Sequence, residues 1–141
     1  MRRGTALMAV CFSGGLLGGL FSSLAVWLVV ELQLPRLAQV TLQPDFTPAW
    51  LYPRLVWGGI WGLVYFLTVG GRSARSHWIR KGLWMALVPA AVQLFYVFPY
   101  TTPHGMLGTK LGTLMPAFVL IFNLVWGFFT GLFTRLLWGR D

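Results

Sequence analysis

Charge is what this sequence has least of. Only 10% of its residues are Asp, Glu, Lys or Arg, where soluble domains carry about 25%. Against that scarcity stands a hydrophobic fraction of 57%. A water-soluble globule of 141 residues cannot bury so much apolar surface, so hydrocarbon is the expected solvent. Cysteine is nearly absent too. Cys11 is the single one, which excludes an internal disulfide framework and any cysteine-based metal site. Acids number three, Glu31, Asp45 and Asp141, and none falls in a long apolar stretch.

What is present is a set of four uncharged apolar stretches, at about residues 5–30, 55–71, 82–100 and 111–134. At about 1.5 Å per residue, each is close to the length that crosses a hydrocarbon core of about 30 Å as a helix. The expected fold is therefore all-α: one integral membrane four-helix bundle, residues 1–141, with an outer loop at 31–54 and a basic inner loop at 70–81. Arg2 and Arg3 before an apolar run resemble the start of a secretory signal, but the run continues through Val30, which suits a retained anchor. Neither cleavage nor lipidation at Cys11 is expected, because Val10 stands where a lipoprotein site needs a small residue.

Lys and Arg stay on the cytoplasmic side of short loops. An even number of spans places Arg2, Arg3, Arg72, Arg75, Arg80, Lys81, Arg135 and Arg140 on one side, and only Arg36, Arg54 and Lys110 on the other. Both N- and C-termini are thus expected in the cytoplasm of a multi-pass inner (plasma) membrane protein. The net charge of +8 reads as this topology signal, and no nucleic-acid partner is inferred. Arg72, Arg75, Arg80 and Lys81 suit anionic lipid headgroups, each contributing about 1 kcal/mol near the surface. Pro35, Pro44, Pro48 and Pro53 argue against a long helix in the outer segment, and with the second span as short as Leu55 to Gly71, either Arg54 reaches toward the outer surface or that helix stands nearly upright. Trp50, Tyr52, Tyr96, Tyr100, Trp78, Trp84 and Trp138 read as interfacial anchors.

Small residues mark the expected helix contacts. Gly14, Gly15, Gly18, Gly19, Ser22 and Ser23 form two interleaved rows on one broad face of the first span. Lipid provides no hydrophobic drive between helices, so association rests on the close approach such rows allow. Their expected counterparts are Gly58 and Gly62 or Gly127 and Gly131 of the same chain, with a homo-oligomer or another membrane protein as the alternative partner. Pro89 is expected to kink the third span, whereas Pro116 lies in the tolerated first turn of the fourth. The segment Leu55-Val56-Trp57-Gly58, followed by Gly62-Leu63, recurs with the same spacing as Leu124-Val125-Trp126-Gly127, then Gly131-Leu132. Arg2-Arg3-Gly4 echoes Arg80-Lys81-Gly82. Together these raise a reading of two duplicated hairpins, which the different distances of Trp57 and Trp126 from their outer loops disfavour.

Gln93, Asn123 and Tyr65 are the polar side chains set deepest. Counting about 1.5 Å per residue pairs Gln93 with Ser22 or Ser23, and Asn123 with Tyr65. In length and span number the chain is similar to small multidrug transporters, but their glutamate inside the first helix has no counterpart, Glu31 lying at the boundary. Without ionisable groups in the spans, proton coupling is disfavoured. An enzyme would have only Glu31, Asp45, His104, Tyr100 and Lys110 to work with, in no recognisable catalytic or metal-ligating spacing, and His77 is a weaker candidate still. The expectation is a non-catalytic small membrane protein, without cofactor or metal, acting as a packing, accessory or assembly subunit. The alternative is a passive channel or uniporter for a small neutral solute, lined by Gln93 and Asn123.

Overall fold

An apolar chain with few polar side chains must satisfy its backbone N–H and C=O groups internally, and helix does this within one segment. The computed structural model describes residues 2–37, 47–69, 77–96 and 115–138, and every element there is helical. In chain order these are α1 (Arg2–Glu31), α2 (Leu34–Leu37), α3 (Pro48–Val69), α4 (Trp78–Met85), α5 (Leu87–Val92) and α6 (Met115–Trp138). Two of them, α1 from Thr5 onward and α6, are long and apolar enough to cross a membrane.

The proline positions explain where these helices depart from the expected stretches. α3 begins at Pro48, inside the segment expected to avoid helix, and runs straight through Pro53. Pro48 opens the first turn, where no N–H is needed. Pro53 removes a single hydrogen bond, the one to the Ala49 carbonyl, close to the helix start. The stretch 82–100 is not one rod. α4 stops at Met85, the residue whose carbonyl would have accepted from the missing N–H of Pro89 and which the proline ring crowds. Ala86 bridges the break, donating to Gly82 O at 2.9 Å, and Ala90 resumes the ladder to Ala86 O at 3.2 Å. Residues 93–96 then widen into a π turn, while 97–100 lie outside the described residues. α6 starts at Met115, so 111–114 also lie outside, and Pro116 sits in its first turn.

α1 is the central element, packed along both α3 and α6. α4 and α5 lie on α6, and α3 meets α4. All these neighbours are antiparallel, so the start of α1, the ends of α3 and α6, and the start of α4 gather at one end. There Leu7, Cys11, Tyr65 and Val69 form a buried cluster, with Phe66, Trp78, Met85 and Trp138 packed around it. Arg80, Lys81 and Arg135 belong to this basic end. Phe21 of α1 stacks on Phe129 of α6 with ring centroids 4.4 Å apart, further along the same seam.

Candidate solute cleft

The glycine rows of α1 are both occupied by the chain itself, each by a different helix. Gly15 and Gly19 face α3: a Cβ on Gly15 would run into Gly58 O and come within 2.8 Å of Gly62 Cα, and one on Gly19 within 2.9 Å of Arg54 O. Gly14 and Gly18 face α6, where a Cβ would strike the hydroxyls of Thr134 and Thr130. The expected contact of this row with Gly127 and Gly131 does not form. Those two glycines instead meet α4, where a Cβ on Gly127 would strike Gly82 O and one on Gly131 would come within 2.5 Å of Trp78 O. Thr130 and Thr134 are fully buried without a hydrogen-bond acceptor or donor. Their oxygens occupy the space that a Cβ on Gly14 or Gly18 would need.

The two hairpins pack in one register. Gly62 approaches Cys11 O, four residues before Gly15, and Gly131 approaches Trp78 O, four residues before Gly82. A Cβ on Gly58 would meet Gly15 O and then Gly19 Cα at 3.2 Å, just as one on Gly127 would meet Gly82 O and then the Ala86 Cβ at 2.8 Å. The Leu-Val-Trp-Gly repeat therefore marks equivalent positions in α3 and α6. The Arg2-Arg3-Gly4 echo does not, because this register pairs Gly82 with Gly15 rather than with Gly4.

The match between halves fails at one seam, and that failure makes a cleft. Where α1 offers Gly14 and Gly18 to α6, α4 has Lys81 and Met85 at the matched positions. Where α6 offers Thr130 and Thr134, α3 has Trp61 and Tyr65. Large side chains keep α3 and the α4–α5 rod from closing as α1 and α6 do. They touch near the basic end, with Tyr65 Oη donating to Trp78 O at 2.7 Å and Lys81 Nζ to Thr68 O at 3.1 Å. Beyond it a cavity of about 590 Å³ opens between α1, α3, α5 and α6. Its wall includes Gln93 and Asn123, the two deep amides, together with Ser22, Arg54, Trp50, Trp57, Trp61, Tyr96 and Trp126.

The polar groups of this wall are bonded differently from what depth along the helices suggested. Ser22 Oγ donates to Phe122 O of α6 at 2.8 Å. Ser23 Oγ donates to Gly19 O at 2.7 Å and accepts from Arg54 Nε at 2.9 Å. Asn123 Nδ2 donates to Val119 O of its own helix at 2.8 Å, and Tyr65 serves Trp78. The expected pairs Gln93 with Ser22 or Ser23, and Asn123 with Tyr65, are thus absent. Depth fixes height on a helix but not which way a side chain faces, and α3 and α6 stand diagonally across from each other with α1 between them.

Arg54, expected in the outer loop, stands in the second turn of α3 and reaches from there toward the helix start, half-buried in the wall with its guanidinium carbon 4.8 Å from the centre of the Trp50 ring. A signal for it existed in the sequence. The residue before Leu-Val-Trp-Gly is polar in both copies, Arg54 in one and Asn123 in the other, and both line the same cavity.

A second cavity, of about 480 Å³, lies at the basic end between Thr68, His77, Arg80, Lys81, Trp84, Met85 and Val88. Arg72 and Arg75 lie outside the described residues, as do Asp45, Tyr100, His104 and Lys110, so the acid–base candidates that are placed are His77, which lines this cavity, and Glu31. The latter is exposed at the end of α1. Among the described residues no three His, Cys, Asp or Glu side chains come together in a group able to hold a metal. No protein-family model, no curated protein and no solved structure matches this chain.

Proposed function

We propose that this chain is a multi-pass protein of the inner membrane, its four rods forming a bundle across the bilayer with both termini in the cytoplasm. In this reading the cleft receives a small organic solute for passive binding or passage, without catalysis. Two helices of crossing length support the membrane placement. Arg80, Lys81 and Arg135 at the end where α1 starts and α6 finishes support the orientation, since basic flanks are retained in the cytoplasm. The cleft then lies in the outer half. The observation that carries the solute reading is that Gln93 and Asn123, on separate helices, line one cavity among tryptophans. Its volume lies within the range of about 300–1,000 Å³ usual for small-molecule sites, and a few polar groups on an aromatic wall are their usual chemistry. At the basic end, Arg80 and Lys81 beside Trp84 suit anionic lipid headgroups.

The accessory-subunit reading takes a narrower form. With both glycine rows of α1 covered from within the chain, a partner helix would meet outward residues such as Leu24, Trp27 and Leu28 of α1 or Leu67 of α3, all exposed. Proteoliposome flux separates the two readings, using a panel of polyols, urea and short-chain carboxylates. The solute reading expects one class to enter faster than in protein-free vesicles, with the excess lost in Asn123→Leu and in Gln93→Leu at unchanged melting temperature. No excess rate for any class, with a stoichiometric membrane protein retained through mild-detergent purification, selects the accessory reading.

A further inference from the structure

Arg54 presents a chemical problem that the rest of the cavity solves only in part. A guanidinium has several N–H donors and a charge that is costly to remove from water without an anion. Here Nε–H is directed to Ser23 Oγ and the guanidinium carbon lies over the Trp50 ring. Among the described residues no carboxylate reaches it, and the acid placed there, Glu31, is exposed at the end of α1. The two contacts that Arg54 does make fix its orientation: Ser23, itself tied to Gly19 O, holds one edge, and the indole lies beneath the guanidinium carbon. The terminal nitrogens are left for the cavity that Arg54 lines. A fork of parallel donors is the geometry that binds an oxyanion in two places at once. The rest of the wall, Trp57, Trp61, Val26, Val92 and Phe122, is apolar or aromatic, and Gln93 and Asn123 add neutral amides.

We infer that the cleft binds an organic anion, a carboxylate head on an apolar body, with the Arg54 guanidinium holding the head and the tryptophan wall holding the body. This rests on the proposed solute reading and names its ligand class. The neutral solute suggested by the sequence followed from placing Arg54 outside the helices, and its position in the wall adds the charge that the two amides lack. The same carboxylate chemistry could reach the site from the bilayer, as a fatty acid, or from water, as an aromatic acid.

The test uses the full chain in detergent micelles, with tryptophan fluorescence quenched by 9,10-dibromostearic acid and, separately, by the matching dibromo alcohol. Saturable quenching is expected with the acid, with roughly tenfold weaker binding of the alcohol, the order expected when a charge-assisted pair is lost. Arg54→Gln is expected to bring the acid down to the affinity of the alcohol, and Arg54→Lys to retain part of the preference. Because Arg54→Gln could lose its fold, the acid-to-alcohol ratio in the unaltered protein stands as an independent measure. Displacement by oleate but not by 3-phenylpropanoate assigns the ligand to the bilayer, and the reverse assigns it to water. Either result upholds the carboxylate site. Equal binding of acid and alcohol overturns the inference while leaving the cleft as a solute site. Absence of saturable quenching with both removes the solute reading itself.

Discussion

Two seams built from matched helices behave oppositely in this molecule. Along α1 and α6, glycine meets threonine, backbones approach until the Thr130 and Thr134 hydroxyls fill the space of a missing Cβ, and Trp126 Nε1 donates across to Gly15 O at 3.1 Å. Along α3 and the α4–α5 rod, Lys81, Met85, Trp61 and Tyr65 stand at the matched places, and contact is made near one end. The tryptophans of the repeat show the result: Trp126 is 5% exposed and Trp57 is 58% exposed. A helix pair closes when both faces are small over successive turns, and a few large residues on each face turn the same pairing into a cleft.

The strongest way to break this comparison is to enlarge the tight contacts. In Gly15→Leu the new side chain meets Gly58 O and the Gly62 backbone, neither of which can turn aside. The expected cost is about 3 kcal/mol or more, at the upper end for overpacking, read as loss of folded yield and a lower melting temperature in detergent. A yield and melting temperature equal to those of the unaltered protein would contradict the packing described here.

A smaller effect sharpens the contrast between the repeat copies. Trp126→Phe removes an interhelical hydrogen bond and is expected to cost about 1 kcal/mol. Trp57→Phe, at the matched but exposed position, is expected to stay within about 0.5 kcal/mol. Equal melting temperatures for the two variants would mean that the seams are alike. Comparable with Trp126→Phe or slightly below it, Tyr65→Phe deletes the bond to Trp78 O at the narrow end of the cleft, and about 0.6–1 kcal/mol is expected from one such bond. A cleft that depends on side-chain bulk rather than on this bond keeps its ligand affinity in that variant.

Legibility followed the kind of information each feature needs. Helical form was readable from the long apolar runs, and the closeness of α1 and α3 from the rows of Gly15 with Gly19 and Gly58 with Gly62. The break at Met85 was implicit in Pro89, because a proline acts on the carbonyl four residues before it. The polar pairs were not legible. Ser22 ends on Phe122 O and Asn123 on Val119 O, and these bonds depend on the rotation of each helix about its axis, which counting residues from a boundary does not contain. Arg54 was legible in part: its reach toward the start of α3 follows from its place near that end, whereas its direction around α3, toward Ser23, which puts it in the wall, does not.

Helical form, the places where prolines interrupt the ladder and the residues small enough to let backbones touch are written in the chain, because these follow from local backbone chemistry and side-chain size. Only the packed bundle settles that Gly14 and Gly18 meet Thr134 and Thr130 of α6 rather than Gly127 and Gly131, that the repeat copies share a register, and that Arg54, Gln93 and Asn123 face one cavity. Those outcomes depend on the relative rotation and spacing of helices far apart in the chain, which are set by how four packed surfaces fit simultaneously.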